Sequence, residues 1–348
     1  MPVADPQAIT VVRAGDADRT DWDDFVARAP AATVFHRWPW RGILEQVFGH
    51  RSHYLIARRG SAVAGVLPLA EVSTLLFGHT LVSLPFCSWA GPIADDDAAL
   101  AALDRAAIDL AQRLAVSHLE YRQIGASTRG WPAQDLYVRF SKPIIADHDA
   151  NLQAIPRKQR AMIRKATVLG LTAASETVAA FYPLYADNVH RHGTPACPPR
   201  FFEAMQAGFG DDFEVLIVRD RQGRAVSGVV NLYFRKQVLP FYAGDLPLAR
   251  DLAANDFKYW EVMRRAAGRG CDTFDFGRSK RGTGSFEFKR HWGFQPQALS
   301  YEYCLLRGGG IPQNNPLNPK YRLLIATWRR LPRGLVNALG PVLVKGLG

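Results

Sequence analysis

In TFDFGRSKRGTGSFEFKRHWGF, residues 273–294, a short apolar strand ends at Gly277, a basic turn follows, and a helix opens near Ser285. Backbone N–H groups at such a strand–turn–helix junction converge on one spot and bind anions. Arg278, Lys280 and Arg281 surround Gly282, Thr283 and Gly284, so phosphate or pyrophosphate is the natural ligand of this turn. The spacing is neither G-x-G-x-x-G nor Walker A, which excludes the dinucleotide-fold and P-loop readings. A tight turn with a solvated basic rim competes with the phosphate reading, and spacing alone does not separate the two. Asp275 lies inside the apolar strand. A buried carboxylate needs a partner, so it either pairs with an arginine such as Arg278 or takes part in catalysis.

Upstream, DLAANDFKYWEVMRRAAGRG (251–270) is the clearest helix of the chain. Ala253, Phe257, Trp260, Met263 and Ala267 share one face, and Arg264, Arg265 and Arg269 suit the C-terminal end of the dipole. Asp256 and Tyr259 on this helix are candidates to line a cleft, against plain surface solvation. FEVLIVRDRQGRAVSGVVNLYFRKQVLPFYAGD before it reads as three strands with turns at R-Q-G-R and near Arg235. Tyr242 ends the third strand and offers a hydroxyl as donor or proton relay, or else packs half-buried. Helices are expected at 155–170, 177–192 and 199–209. The first carries Arg157, Lys158, Arg160, Arg164 and Lys165 without an acid, either a solvated face or a surface for a phosphate-bearing substrate. No aromatic interleaving marks it as an RNA module.

The N-terminal half repeats this mixed order. Strands are expected at 9–14, in HYLIARRG and AVAGVLPLAEV, and at 118–125 and 136–144. Helices are expected after Asp21 as N-cap, over 34–49, and over 95–115. Two α/β (α+β) runs of about 150 residues predict two related domains, 1–147 and 148–306, followed by a tail, 307–348.

The net charge is +11, and the acid-free segment from Leu306 to Gly348 supplies seven of those charges. A basic balance favours anionic partners. The four cysteines are dispersed, which reads as reduced thiols, and no metal-ligand spacing is visible, so no metal is expected. The acidic N-terminal stretch lacks an apolar signal core and no run of ~18 apolar residues occurs, so a cytoplasmic protein is expected.

The segment FDFGRSKRGTGSFEFKRHWGF, with AGDLPLARDLAANDFKYWEVMRRAAGRG before it, resembles the FemAB/FemX family of the GNAT acyltransferase superfamily. Within it the chain looks most like the FemAB-like proteins of exosortase (PEP-CTERM) and exopolysaccharide loci; NPLNPKYRLLIATWRRLP and the closing ALGP share that likeness. The resemblance is strongest over 150–330. It implies two tandem GNAT-like domains with mixed central sheets flanked by helices, and a cleft at the second. It also implies acyl or aminoacyl transfer to an amine. The donor is then a phosphate-bearing co-substrate, namely aminoacyl-tRNA, acyl-CoA or an acylated carrier protein, with no tightly bound cofactor. The superfamily's pyrophosphate loop, Gln/Arg-x-x-Gly-x-Gly/Ala, corresponds to Ser279–Gly284, with serine in the first place. Lys289 falls where the F-K-x-x-[FW]-G motif has its lysine, near the carbonyl under attack; read alone it is a solvent-facing helix lysine. A fixed cation there stabilises the oxyanion of amide formation.

The expected function is therefore acyl transfer in cell-envelope or exopolysaccharide biosynthesis, on an amine acceptor that is lipid- or nucleotide-linked. Arg157 and Lys158 join Asp256 and Tyr259 as substrate-binding candidates, with tRNA among the partners. The alternative is a non-catalytic basic adaptor for nucleic acid or anionic membrane. In the tail, Tyr321, Leu324, Ile325, Trp328 and Leu331 form an apolar stripe flanked by Lys320, Arg322, Arg329 and Arg330. Such a segment either docks on the inner face of the cytoplasmic membrane or packs onto the second domain.

Overall fold

Each element of the chain follows from the apolar core against which it buries a face. The computed structural model describes residues 8–74, 78–126, 129–308, 310–311 and 325–346. Met1–Asp135, Ala298–Gln313 and Lys345–Gly348 form one unit; Leu136–Gln297 and Asn314–Val344 form the other.

The first unit runs β1 (Ile9–Arg13), α1 (Arg19–Arg28), α2 (Pro39–Phe48), β2 (Arg51–Ser52), β3 (Leu55–Arg59), β4 (Ala62–Leu67), β5 (Ala70–Thr74), β6 (Gly78–Val82), β7 (Ile93–Ala94), α3 (Asp97–Arg113), β8 (His118–Ile124) and β9 (Ala133–Gln134). Strands β1-β3-β4-β7 form an antiparallel sheet. Next to β8 lie β6, β5 and β2, with β6 and β8 parallel. Helix α3 buries Ala99, Leu103, Ala107 and Ala111, one stripe at helical spacing, in a core with Leu55, Leu67 and Leu119.

The second unit runs β10 (Tyr137–Pro143), α4 (His148–Gln153), α5 (Arg157–Val168), β11 (Thr172–Ser175), α6 (Val178–His192), α7 (Pro199–Phe209), β12 (Phe213–Arg219), β13 (Ala225–Phe234), β14 (Gln237–Asp245), α8 (Ala254–Gly268), β15 (Thr273–Lys280) and α9 (Gly284–His291). Its strands follow the order β11-β12-β13-β14-β15-β10. The expected face of α8 is buried as read: Phe257, Trp260, Met263 and Ala267 all lie inside. After α9 come β16 (Pro296–Leu305) and α10 (Arg333–Val344).

Several boundaries differ from the sequence reading. Helix α1 begins at Arg19 with Asp18 at its N-cap position; Asp18 accepts a hydrogen bond from Gly15 N at 2.8 Å, an earlier stop than Asp21. The expected helix over 34–49 is a short turn at Val34–His36 followed by α2, because Pro39 suits a first helical position. The division expected at 147/148 falls at Asp135/Leu136. Strand β10 pairs with β15 from Tyr137↔Lys280 to Pro143↔Thr273, so it belongs to the second sheet. Residues 299–305 of β16 pair with β8, which assigns them to the first unit.

The described part of the tail packs as a strap on α6. Trp328 is buried, its carbonyl lies 3.2 Å from His190 Nε2, and Arg329 Nη2 donates to His192 O at 3.2 Å. Tyr321, Leu324, Lys320 and Arg322 lie outside the described residues.

Helix α6 lies directly on β14. A Cβ added at Gly244 would stand 2.4 Å from Tyr185 N and 2.5 Å from the Leu184 carbonyl carbon, both backbone and unable to yield. Gly268, at the end of α8, has nothing within 4 Å of its added Cβ. Gly244→Ala should therefore cost about 1–3 kcal/mol or more. Gly268→Ala should stabilise by about 0.5–1 kcal/mol. Thermal melts of the two variants check this; equal behaviour would contradict the packing of α6 on β14.

Candidate active site

Strands β14 and β15 are parallel but keep register only at Gln237↔Thr273 and Val238↔Phe274. Beyond that point both strands carry irregularities. Against β13, the register of β14 shifts between Val230↔Tyr242 and Asn231↔Pro240, and Pro240 has no N–H to donate. Against β10, Phe276 and Gly277 of β15 share the space opposite Phe140. Such bulges bend a strand and increase its twist. The C-terminal halves of β14 and β15 thus part, and helices α8 and α9 start beyond their ends. A crevice at the carboxyl ends of parallel strands is a common place for ligands.

The bulge in β15 is held by a buried carboxylate. Asp275, 1% exposed, accepts from Arg139 Nε at 2.6 Å, Gln237 Nε2 at 2.9 Å and Gly277 N at 2.8 Å. Its partner is Arg139 across the sheet, in place of the expected Arg278, whose guanidinium lies 4.6 Å from the centre of the Tyr137 ring. Burial pushes the Asp275 carboxyl up, while Arg139 and the Gly277 N–H oppose it. Gly277 takes φ +70°, which lets the chain make the bulge and run on to Lys280, so the strand does not stop at Gly277.

Lys289 reaches back from α9 to the same place. Its Nζ donates to Arg278 O at 3.0 Å and Gly277 O at 3.3 Å, between the rings of Phe140 and Phe276. It is 7% exposed, so the solvent-facing reading fails. Burial pulls its pKa down to about 7; Asp275 opposes that shift and Arg278 adds to it. An ammonium has three N–H donors, and these two bonds leave one.

The basic turn forms as a strand–turn–helix junction. Thr283 donates to Lys280 O at 2.8 Å and caps α9 by accepting from Phe286 N at 3.4 Å. Gly282 needs its glycine for φ +72°, whereas Gly284 does not take a left-handed conformation. A Cβ at either would meet nothing within 4 Å. Burial lowers the pKa of Lys280, and Arg281 is exposed.

The remaining candidates divide: Asp256 and Tyr259 adjoin β15 and α9, and the others lie apart. Tyr242 turns its ring into Tyr185, Phe201 and Phe202, with centroids 5.4–5.7 Å away. The buried Cys197 thiol beside it is pushed up to about 11 by burial, against hydrogen bonds from Tyr185 and Tyr242. Asp256 accepts from Trp292 Nε1 at 2.9 Å, tying the start of α8 to the end of α9, and burial raises its pKa. The Tyr259 ring packs edge-on against Phe276 at 4.6 Å. Arg157 and Lys158 lie exposed on α5. Lys289 and Asp275 therefore meet at the β15 bulge, with the basic turn after it in the chain, while Tyr242 and the α5 cations do not join them.

Sequence reasoning missed Arg139, Gln237, and a buried ion pair in which Lys258 Nζ, fully enclosed, meets Asp245 Oδ1 at 2.7 Å. It also missed Asn255 in the first turn of α8, whose buried Oδ1 has no partner among the described residues. A strand over 136–144 places Arg139 and Phe140 on opposite faces, but the register that brings Arg139 to Asp275 is not local. Two further hollows lie in this unit. One of about 210 Å³ involves Tyr182, His190 and Val336, and one of about 620 Å³ involves Glu176, Glu214 and Arg269; the β15 cluster lines neither.

The first unit contains a similar parallel pair, Leu81↔Leu119 and Val82↔Glu120, but its own chain occupies the neighbouring space. Residues 83–91 are buried throughout. Ser83 N donates to Glu120 O, Ala90 N and Gly91 N donate to Arg122 O, and Arg122 Nη1 donates to Cys87 O at 3.0 Å. Leu84 and Phe86 take φ +58° and +66°, a strained geometry that these bonds hold. A Cβ at Gly91 would stand 2.6 Å from Gln123 Cγ. Among the described residues, no group of three or more His, Cys, Asp or Glu is arranged to hold a metal ion.

Residues 153–290, inside the second unit, match the family model for an acetyltransferase (GNAT) domain. The crystal structure of FemX aligns with a TM-score of 0.64 at 14% identity, over 91% of this chain and all of that one. A tandem GNAT protein from the clavulanic acid biosynthesis pathway aligns with a TM-score of 0.54 at 12% identity, over 87% of this chain and all of that one. The protein is thus a mixed α/β chain of tandem GNAT-like units. In sequence, it is 27% identical over 104 residues to the UDP-N-acetylmuramoylpentapeptide-lysine N(6)-alanyltransferase of Weissella viridescens. That match takes in 29% of this chain and spans about a third (31%) of the relative's length. The second unit carries the GNAT acetyltransferase domain.

The lowered pKa of Lys289 has a consequence for stability. Between about 7 and its ordinary 10.5, the unfolded chain binds more protons than the folded one at this site. Unfolding free energy must then rise with pH across that window, and the penalty is fully present below it. The difference between wild type and Lys289→Met, followed by denaturant unfolding from pH 6 to 10.5, should show this rise. A pH-independent difference would mean that Lys289 keeps an ordinary pKa.

Proposed function

We propose that the protein is an N-acyltransferase that moves an acyl or aminoacyl group onto an amine, with the chemistry at the parting of β14 and β15. The observation that carries this reading is Lys289, a buried cation with a spare N–H beside the β15 bulge. Attack of an amine on an ester or thioester carbonyl gives a tetrahedral oxyanion, whose collapse forms the amide and expels the donor's alcohol or thiol. The third N–H of Lys289 stabilises that oxyanion, a charge present only in the transition state. The edges of β14 and β15 beyond their two paired positions hold the extended donor as an added strand would be held. Arg278, Lys280, Arg281 and the Gly282–Gly284 backbone hold its phosphates.

The donor is aminoacyl-tRNA, acyl-CoA or an acylated carrier protein, all of which pair a reactive ester or thioester with phosphate. The exposed Arg157 and Lys158 on α5 favour the largest polyanion of the three, tRNA. The acceptor is an amine in a cell-envelope or exopolysaccharide precursor, lipid- or nucleotide-linked, in an exosortase-associated pathway. The competing reading is a basic adaptor without turnover; failure of all three donors to transfer to any amine would favour it.

Lys289→Ala should lower kcat about 10²–10³-fold, the scale for loss of one oxyanion donor. Acting as a cation, Lys289 should make wild-type kcat fall as pH rises through about 7. A rate that rises through the same pH, or an unchanged kcat in folded Lys289→Ala, removes it from this role.

Gly284→Ala should leave the melting temperature in place and raise the donor KM, because its Cβ meets no protein atom and enters the phosphate site. Paired Arg157→Glu and Lys158→Glu should weaken aminoacyl-tRNA while sparing acyl-CoA. Equal effects on both donors would contradict a tRNA role for α5.

A further inference from the structure

We propose that α10 docks on an anionic lipid bilayer, through a face different from the stripe legible in the sequence. The inference is independent of the catalytic reading. Trp328 and His190 show that the upstream part of the tail is a strap, with Trp328 buried and its carbonyl facing His190 Nε2. A Cβ at Gly193, the residue that ends α6, would stand 2.6 Å from Ile325 Cγ2, so the strap lies directly on the end of that helix. Helix α10 continues from this anchor. It turns Val336 and Val344 inward, and Val336 joins the hollow with Tyr182 and Pro183.

Its other face is apolar and open. Leu335 is 51% exposed, Leu339 46% and Val342 72%. These positions are i, i+4 and i+7, which places them within one narrow arc of the helix. They are also three of the eight large hydrophobic residues exposed in the described structure. Single exposed leucines are ordinary, whereas a contiguous apolar row marks a contact surface.

Charge selects the occupant. Leu306–Gly348 contains seven basic residues and no acidic one, and Arg329 and Arg330 are exposed on the turn leading into α10. A second copy of the chain would bring the same positive charge to the contact, and like charges would repel. An anionic bilayer presents negative headgroups above an apolar layer, matching both features of the tail in one surface. A 12-residue helix of about 18 Å lies in the headgroup plane without spanning it, and no described helix is long and apolar enough to cross a membrane. The strap fixes this helix to the second unit, so docking brings that unit to the lipid surface.

The test is co-sedimentation of the full chain with vesicles of phosphatidylcholine alone and with one-third phosphatidylglycerol, at 50 and 500 mM salt. Binding is expected to the anionic vesicles at low salt, at least tenfold weaker at high salt, and near background on the neutral ones. Leu335→Glu, Leu339→Glu and Val342→Glu combined should lower vesicle binding at least tenfold and leave the thermal melt unchanged, since all three side chains already face solvent. Arg329→Ala with Arg330→Ala should flatten the salt dependence. Absence of wild-type binding at low salt, or equal binding by the folded triple variant, overturns the proposal. So does light scattering that shows a wild-type dimer, dispersed by the triple substitution, with no vesicle binding.

Discussion

A single buried carboxylate sets the shape of the second unit. Asp275 accepts three hydrogen bonds, from Arg139, Gln237 and the Gly277 N–H, and these fix two residues of β15 opposite one of β10. Lys289 then covers the Gly277 and Arg278 carbonyls at the end of that bulge. Removing one partner from such a buried set leaves an uncompensated charge, which is why it holds its geometry firmly. The bend it imposes, together with Pro240 and the shifted register in β14, ends the pairing of two parallel strands after two residue pairs. The basic turn and α9 take their positions from the strand so bent.

The two units use one strand arrangement for different ends. Next to β8, residues 83–91 fill the space beside the parallel pair with buried chain, at the expense of two strained residues, Leu84 and Phe86. Beside β15, the corresponding edge meets a glycine turn rich in cations. The first arrangement resembles a scaffold whose gap is closed by its own loop; in the second, β14 and β15 pair at two positions only and Lys289 Nζ keeps one N–H beyond its two bonds. The acyl transfer proposed for the second unit rests on this asymmetry, and the GNAT domain match, 153–290, lies within that unit.

Local periodicity made much of the fold legible. The face of α8, the three strands from 213 to 245 and the strand–turn–helix after Thr273 all follow from spacings of 3.6 and 2 and from glycine. What the sequence could not carry was pairing between distant segments. Arg139 meets Asp275 across 136 positions, β10 joins the second sheet, and β16 pairs with β8, each a matter of register. Lys289 was legible only through its motif, because a helix lysine next to Glu287 and Arg290 looks solvent-facing by itself. Of the Trp328 stripe, the described Trp328 is buried, yet periodicity does not say whether such a stripe meets protein or lipid.

The donor's location can be measured directly by amide hydrogen exchange on the full chain, with and without each candidate donor. If the parting of β14 and β15 is the donor cleft, the donor that supports transfer slows exchange in 239–245 and 275–284 and leaves 83–91 unchanged. Slowed exchange confined to 83–91 and β8, with 239–245 and 275–284 unaffected, would contradict it.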